Sequence, residues 1–138
     1  MRIWHQKLIP LLDRQRLLGQ HRELCALRGR GWGRKHATVD YVFEHFPDNL
    51  VAYHYLVMNE MKRRGYKPDE KWYNCDYRGA ILGVEKGWTN PKFIQNILLN
   101  TQISGEPIYF EHDDAYLNEC LNNLKEKGVY INENIDSL

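Results

Sequence analysis

The fold turns on residues 10–28, Pro10-Leu11-Leu12-Asp13-Arg14-Gln15-Arg16-Leu17-Leu18-Gly19-Gln20-His21-Arg22-Glu23-Leu24-Cys25-Ala26-Leu27-Arg28. The apolar residues recur at helical spacing. Pro10 suits a first turn, where its missing N–H costs nothing, and Gly29 is placed to end the helix. At 100° per residue, Leu8, Leu11, Leu12, Leu18, Cys25 and Ala26 share one arc, while Leu17 and Leu24 fall on the other side. A helix apolar on two sides predicts a central, sandwiched position. Arg22 projects from the middle of the main arc and Glu23 from its edge beside Leu12, so a charge there needs a partner.

Outward from this segment the pattern stays helical. Val39 to Phe46 reads as a short helix capped by Thr38 and ended by Pro47. Asp48 to Arg64 reads as a longer one, with Leu50, Tyr53, His54, Val57, Met58 and Met61 at helical spacing and Gly65 closing it. Lys62, Arg63 and Arg64 complement its dipole. Residues 66–90 hold Tyr66, Trp72, Tyr73, Tyr77 and Trp88 among turn formers and predict short helices and loops. Asn90-Pro91 starts a helix to about Leu99. The last helix runs from Asp113 to Lys127, with Leu117, Cys120, Leu121 and Leu124 on one face, Gly128 as its stop and a polar tail beyond. No strand alternation or fixed-period repeat is present. The expectation is all-α: a single-domain helical bundle over residues 1–138 around its N-terminal helix.

With 138 residues, 43% hydrophobic and 27% charged, the chain suits one globular domain. No run reaches the roughly 18 apolar residues of a membrane span, and the N-terminus, with Arg2, His5 and Lys7, lacks the apolar stretch of a signal peptide. A cytoplasmic chain with no membrane partner is expected. Cys25, Cys75 and Cys120 are odd in number and 50 and 45 residues apart, which argues against a disulfide framework and a CxxC zinc site.

The formal net charge of +1 hides an asymmetry. Residues 1–36 hold nine Lys/Arg against Asp13 and Glu23, a charge of +7, so the remaining 102 residues carry −6. A basic segment of this kind meets a phosphate backbone, or else docks on the protein's own acidic surface. Its end, Arg28-Gly29-Arg30-Gly31-Trp32-Gly33-Arg34-Lys35-His36, reads as a loop. Glycines let backbone approach a ligand, arginines contact phosphate, and an aromatic ring stacks on or wedges against a base.

Standard catalytic motifs are absent: no HExxH, P-loop, GxSxG or dinucleotide fingerprint. Glu111-His112-Asp113-Asp114 reads as the acidic start of the last helix before it reads as a cation site. His36, His45 and His54 recur every nine residues, which puts no two on one helical face. Cys75 has no context that would make a reactive thiol.

His21-Arg22-Glu23-Leu24, the downstream Arg34-Lys35-His36, and the helix ending Glu60-Met61-Lys62-Arg63-Arg64-Gly65-Tyr66 together resemble the phage endonuclease V type of pyrimidine-dimer DNA glycosylase, over about residues 1 to 66. That family is compact and all-α. It removes a base at a cyclobutane pyrimidine dimer and then nicks the abasic strand. The resemblance implies an amine nucleophile at the chain terminus and a glutamate on the first long helix, here Met1 and Glu23. An α-amine ordinarily titrates near pH ~8, so an appreciable fraction is nucleophilic at neutral pH. Glu23 would stabilise the cationic sugar and imine and move the proton for β-elimination, while Arg22 would clamp a phosphate and keep Glu23 ionised. Glu23 lies about 20 Å along a helix from Pro10, and nine extended residues span about 30 Å, so the terminus can reach back.

The chain departs from the family at identifiable positions. The family's amine belongs to a threonine uncovered by methionine removal, followed by Arg-Ile. Here Arg2-Ile3 follows Met1 directly, and an arginine at position 2 blocks that removal, leaving Met1 to supply the amine. The family's first-helix histidine corresponds to Arg16, and the arginine three places after its glutamate to Ala26, with Arg28 nearby. Its aromatic C-terminal segment has no counterpart in Asn132-Glu133-Asn134-Ile135-Asp136-Ser137-Leu138. The expectation is a monomeric enzyme of base-excision repair that binds damaged double-stranded DNA through Arg2, Arg16, Arg28, Arg30, Trp32, Arg34, Lys35 and His36. It acts through Met1, Glu23 and Arg22 without metal or cofactor. The alternative is a non-catalytic DNA-binding or interaction module on the same scaffold, which Trp32 and the arginines would still serve and for which the Met1 amine and Glu23 are dispensable. The purely structural reading of Arg22 and Glu23 is an internal ion pair on a helix.

Overall fold

Helix α2, Pro47–Arg63, has almost no polar stripe in its middle turns: Leu50, Val51, Ala52, Tyr53, His54, Val57 and Met58 are all buried. A helix apolar all round must be covered all round. In the computed structural model, which describes residues 1–131, α2 accordingly packs against α1 (Arg14–Arg28) and α4 (Pro91–Ser104). Leu50, Tyr53, Val57, Met58 and Met61 join the main core with Leu17, Leu24 and Leu27 of α1. Val51 and Ala52 meet Ile94 of α4 in a second, smaller core. The central position expected for the N-terminal helix therefore belongs to α2.

The first helix also starts later than its periodicity implies. Gln6–Leu11 form a 3₁₀ turn with Pro10 inside it, Leu12 is extended, and α1 begins at Arg14 after Asp13. Leu8, Leu11 and Leu12 thus never share a helical face with Cys25 and Ala26. The buried face of α1 is instead Leu17, Gln20, Leu24, Leu27 and Arg28, and Arg22 points to solvent.

Between α1 and α2 the expected helix is a 3₁₀ turn over Asp40–Glu44, with Val39 rather than Thr38 at its cap position. Pro47 opens α2 instead of ending what precedes it, as its locked φ and missing donor favour at a first helical position. The aromatic-rich stretch holds a 3₁₀ turn, Glu70–Tyr73, and the short α3, Gly79–Leu82. Helix α4 is capped by the Asn90 side chain and runs one turn past Leu99 to Gly105, whose φ of 74° is the left-handed geometry of a helix stop. Helix α5, Asp114–Glu126, starts where the Asp113 carboxylate accepts from the Tyr116 N–H, and so the acidic cluster there caps a helix. Among the described residues no strand forms, only an isolated bridge between Tyr77 and Val84. The three cysteines are free, and among the described residues no helix is long and apolar enough to cross a membrane. The polar tail, from residue 132 on, lies outside the described residues.

The N-terminal arm, residues 1–5, runs into the core rather than over it. Ile3, Trp4 and His5 are buried. Buried His112 accepts from the Gln6 N–H at 3.0 Å and faces the Tyr41 hydroxyl at 2.7 Å. The Gln6 side chain bonds Thr101 and the Ile108 N–H. These contacts tie the arm to residues more than ninety positions away, and they fix where Met1 lies.

Candidate active site

Along the outer edge of α1 the arm passes the residues singled out by the sequence. The Gln20 carboxamide, 1% exposed, accepts from the Trp4 N–H at 2.8 Å and donates to the Arg2 carbonyl at 2.9 Å. Tyr53 and Tyr116 donate their hydroxyls to the Trp4 and Ile3 carbonyls. Beyond this clamp the Thr38 hydroxyl donates to the Met1 carbonyl and lies 3.0 Å from His36 Nδ1. Met1 and Glu23 thereby line one cavity of about 310 Å³, with Arg2, Trp4, Thr38, Asn123 and Lys127.

Glu23 is half-buried, and that burial raises its carboxyl above the usual carboxylate range. The Arg2 backbone N–H, the Met1 amine, Lys127 and Arg22 oppose the rise without cancelling it. Arg22, the expected keeper of the ionised form, is the weakest of these because it sits in solvent. A carboxylate raised toward neutral pH is a better proton acceptor than an ordinary one. Asn123 of α5 and Lys127, the residue that caps its C-terminal end, lie far from any motif. Their only sequence signal is the i, i+4 spacing, and Lys127 reads there as a dipole partner. Lys127 Nζ lies 5.7 Å from the Trp4 ring centroid, and Arg2, 5.9 Å from both the Trp4 and Tyr116 rings, pairs with Glu119 at 3.7 Å.

The expected DNA-binding residues divide. Arg30, Arg34, Lys35 and His36 are exposed on the turn after α1, and Gly31 lets that turn fold tightly, since a Cβ there would lie 2.7 Å from the Ala26 carbonyl oxygen. Arg16 is half-exposed and paired with Asp13 at 3.3 Å. Trp32 is no free wedge: it is half-buried and edge-on to Phe43 and Trp88, at 5.0 and 5.8 Å between centroids. Arg28 is a correction. It is 0% exposed, and it donates to the carbonyls of Trp72, Asn74 and Tyr77 at 2.8 to 3.0 Å, so it meets no phosphate. Desolvation lowers its guanidinium to about 10.

Arg28 also decides the chemistry of its neighbours. Among the described residues, His21, Cys25 and His54 place ligand atoms close enough together to hold a metal. Arg28 Nη1 lies 3.0 Å from His54 Nδ1 and offers only donors, so Nδ1 accepts and the proton sits on Nε2, directed at His21 Nδ1 2.8 Å away. A metal on Nε2 would require the proton on Nδ1, against the guanidinium. Burial holds His54 neutral and pushes the Cys25 thiol up to about 12. The cluster is a hydrogen-bond chain that ties α1 to α2.

A family model described as pyrimidine dimer DNA glycosylase matches residues 1–74. No curated protein and no solved structure matches the chain. The matched segment covers more than half of the 138 residues and contains the arm, α1, the basic turn and α2, and the chain belongs to the pyrimidine dimer DNA glycosylase family.

Proposed function

We propose that residues 1–138 form one DNA-repair domain that excises a base at a pyrimidine dimer and nicks the resulting abasic site, with the Met1 α-amine as nucleophile and Glu23 as proton acceptor. The observation that carries this reading is the shared cavity of Met1 and Glu23. The unprotonated Met1 nitrogen attacks the sugar C1′. The glycosidic bond breaks, its electrons leave with the base, which takes up a proton, and the opened sugar remains as an imine on Met1. The Glu23 carboxylate faces that cationic imine and removes a C2′ proton; the electrons expel the 3′ phosphate as the C3′–O bond breaks. Water hydrolyses the imine and restores the amine. Arg30, Arg34 and Lys35, exposed on the turn after α1, hold the backbone, and Arg22 takes a phosphate next to Glu23.

Borohydride reduction on a duplex with a single abasic site tests this reading. The expected result is a covalent protein–DNA adduct that disappears when the N-terminus is acetylated. Binding without any adduct would instead favour a DNA-binding module.

A further inference from the structure

We infer that Gln20 is the positioning residue of this site, the side chain that holds the nucleophile's arm and the Glu23 carboxylate in one register. This rests on the function proposed above. A carboxamide has two donors and two acceptor positions, and Gln20 uses three of them. Oε1 accepts from the Trp4 N–H and lies 3.3 Å from the Tyr53 hydroxyl oxygen, whose proton goes to the Trp4 carbonyl. Nε2 donates to the Arg2 carbonyl and, at 3.4 Å, to Glu23 Oε2. The bonds to Trp4 and Arg2 flank Ile3, so one side chain fixes the extended backbone on both sides of a residue and leaves only Met1 beyond the clamp. The third bond reaches the carboxylate itself. Among the described residues no other carboxamide bonds both the arm and Glu23.

The chemical consequence is preorganisation. An arm free to swing would present its amine in many positions, and a misplacement of about 1 Å costs roughly 100-fold in rate. Met, of similar shape, can make none of the three bonds. Glu keeps the acceptor for Trp4 but loses both donors, and it sets a second carboxylate against Glu23. The charged groups that face Glu23 are the Met1 amine from the arm, Arg22 from α1 and Lys127 just past the end of α5, with the Arg2 backbone N–H as a neutral donor beside them. None of them changes in either variant, so a shift in the pH dependence reports on position 20.

The experiment measures single-turnover borohydride trapping on an abasic duplex for the wild type, Gln20→Met and Gln20→Glu, with duplex affinity and thermal unfolding measured alongside. Gln20→Met is expected to trap about 100-fold more slowly with unchanged affinity. Gln20→Glu is expected to move the acid limb of the trapping rate to higher pH. Should Gln20→Met fail to fold, the pH profile of Gln20→Glu decides alone. Wild-type rates and an unshifted profile in the variants would overturn the role of Gln20 while leaving the proposed function standing. No trapping by the wild type would overturn both.

Discussion

Helix α1 carries two polar clusters, and they behave in opposite ways. At its middle Gln20 and Glu23 face the N-terminal arm and a cavity; at its end Arg28 is sealed against His54 and three backbone carbonyls. Both contain charge in a half-buried or buried setting. In the first, burial leaves a carboxylate poised and reachable. In the second, His54 Nδ1 and three backbone carbonyls are spent on one guanidinium, whose Nε alone stays without a partner. Partners, rather than residue type, separate a site from a strut.

The sharpest way to break this contrast is at Glu23. Glu23→Gln is expected to reduce strand cleavage by two to four orders of magnitude, roughly the range for losing a proton-transfer group. Its melting temperature is expected to stay level or rise, because a desolvated carboxylate is removed. A gel assay on the abasic duplex and a thermal melt check both halves; an unstable variant that still cleaves would make Glu23 a strut.

Arg28→Met tests the other cluster and is expected to do the reverse. Three part-buried carbonyls and buried His54 Nδ1 lose their donor, at about 1 kcal/mol each, so denaturant unfolding is expected to show a loss of roughly 3 kcal/mol or more. The trapping rate per folded molecule is expected to hold. A stable Arg28→Met that no longer binds DNA would restore Arg28 to the phosphate contacts.

Acid separates the clusters next. Burial holds His54 neutral and brings His112 down to about 3 from the ordinary 6.5. The unfolded chain takes up these protons near 6.5 and the folded chain refuses them until far lower. Each histidine's contribution to stability is therefore complete above 6.5 and is lost as pH falls toward 3. Denaturant midpoints taken across that window are expected to decline steadily, and a flat profile would mean that the histidines are not sealed.

The basic segment was legible as a segment, and Glu23 stood out as a charge on the first helix. Arg28 was not legible, because its partners lie at positions 54, 72, 74 and 77 and no local pattern distinguishes a solvated arginine from an enclosed one. Pro10 misled for a related reason: it fits a first helical turn and a 3₁₀ turn equally well, and the packing of Leu8 and Ile9 in the core decided between them. Asn123 of α5 and Lys127 at its C-terminal cap reach the cavity, and only the folded chain brings that helix to the arm.

The smallest expected effect is at Thr38, whose hydroxyl joins the exposed turn at His36 to the Met1 carbonyl. Thr38→Val removes the bond to the Met1 carbonyl, about 1 kcal/mol, and is expected to slow trapping roughly fivefold and to lower the melting temperature by about 2–4 °C. A rate equal to the wild type would uncouple the turn from the nucleophile.

The cavity holds a second amine, Lys127, and that makes the identity of the nucleophile directly measurable. Proteolysis of the borohydride-trapped adduct followed by mass spectrometry locates the bond. The account predicts deoxyribose on the α-nitrogen of Met1, within the N-terminal peptide, and a modification on Lys127 would contradict it.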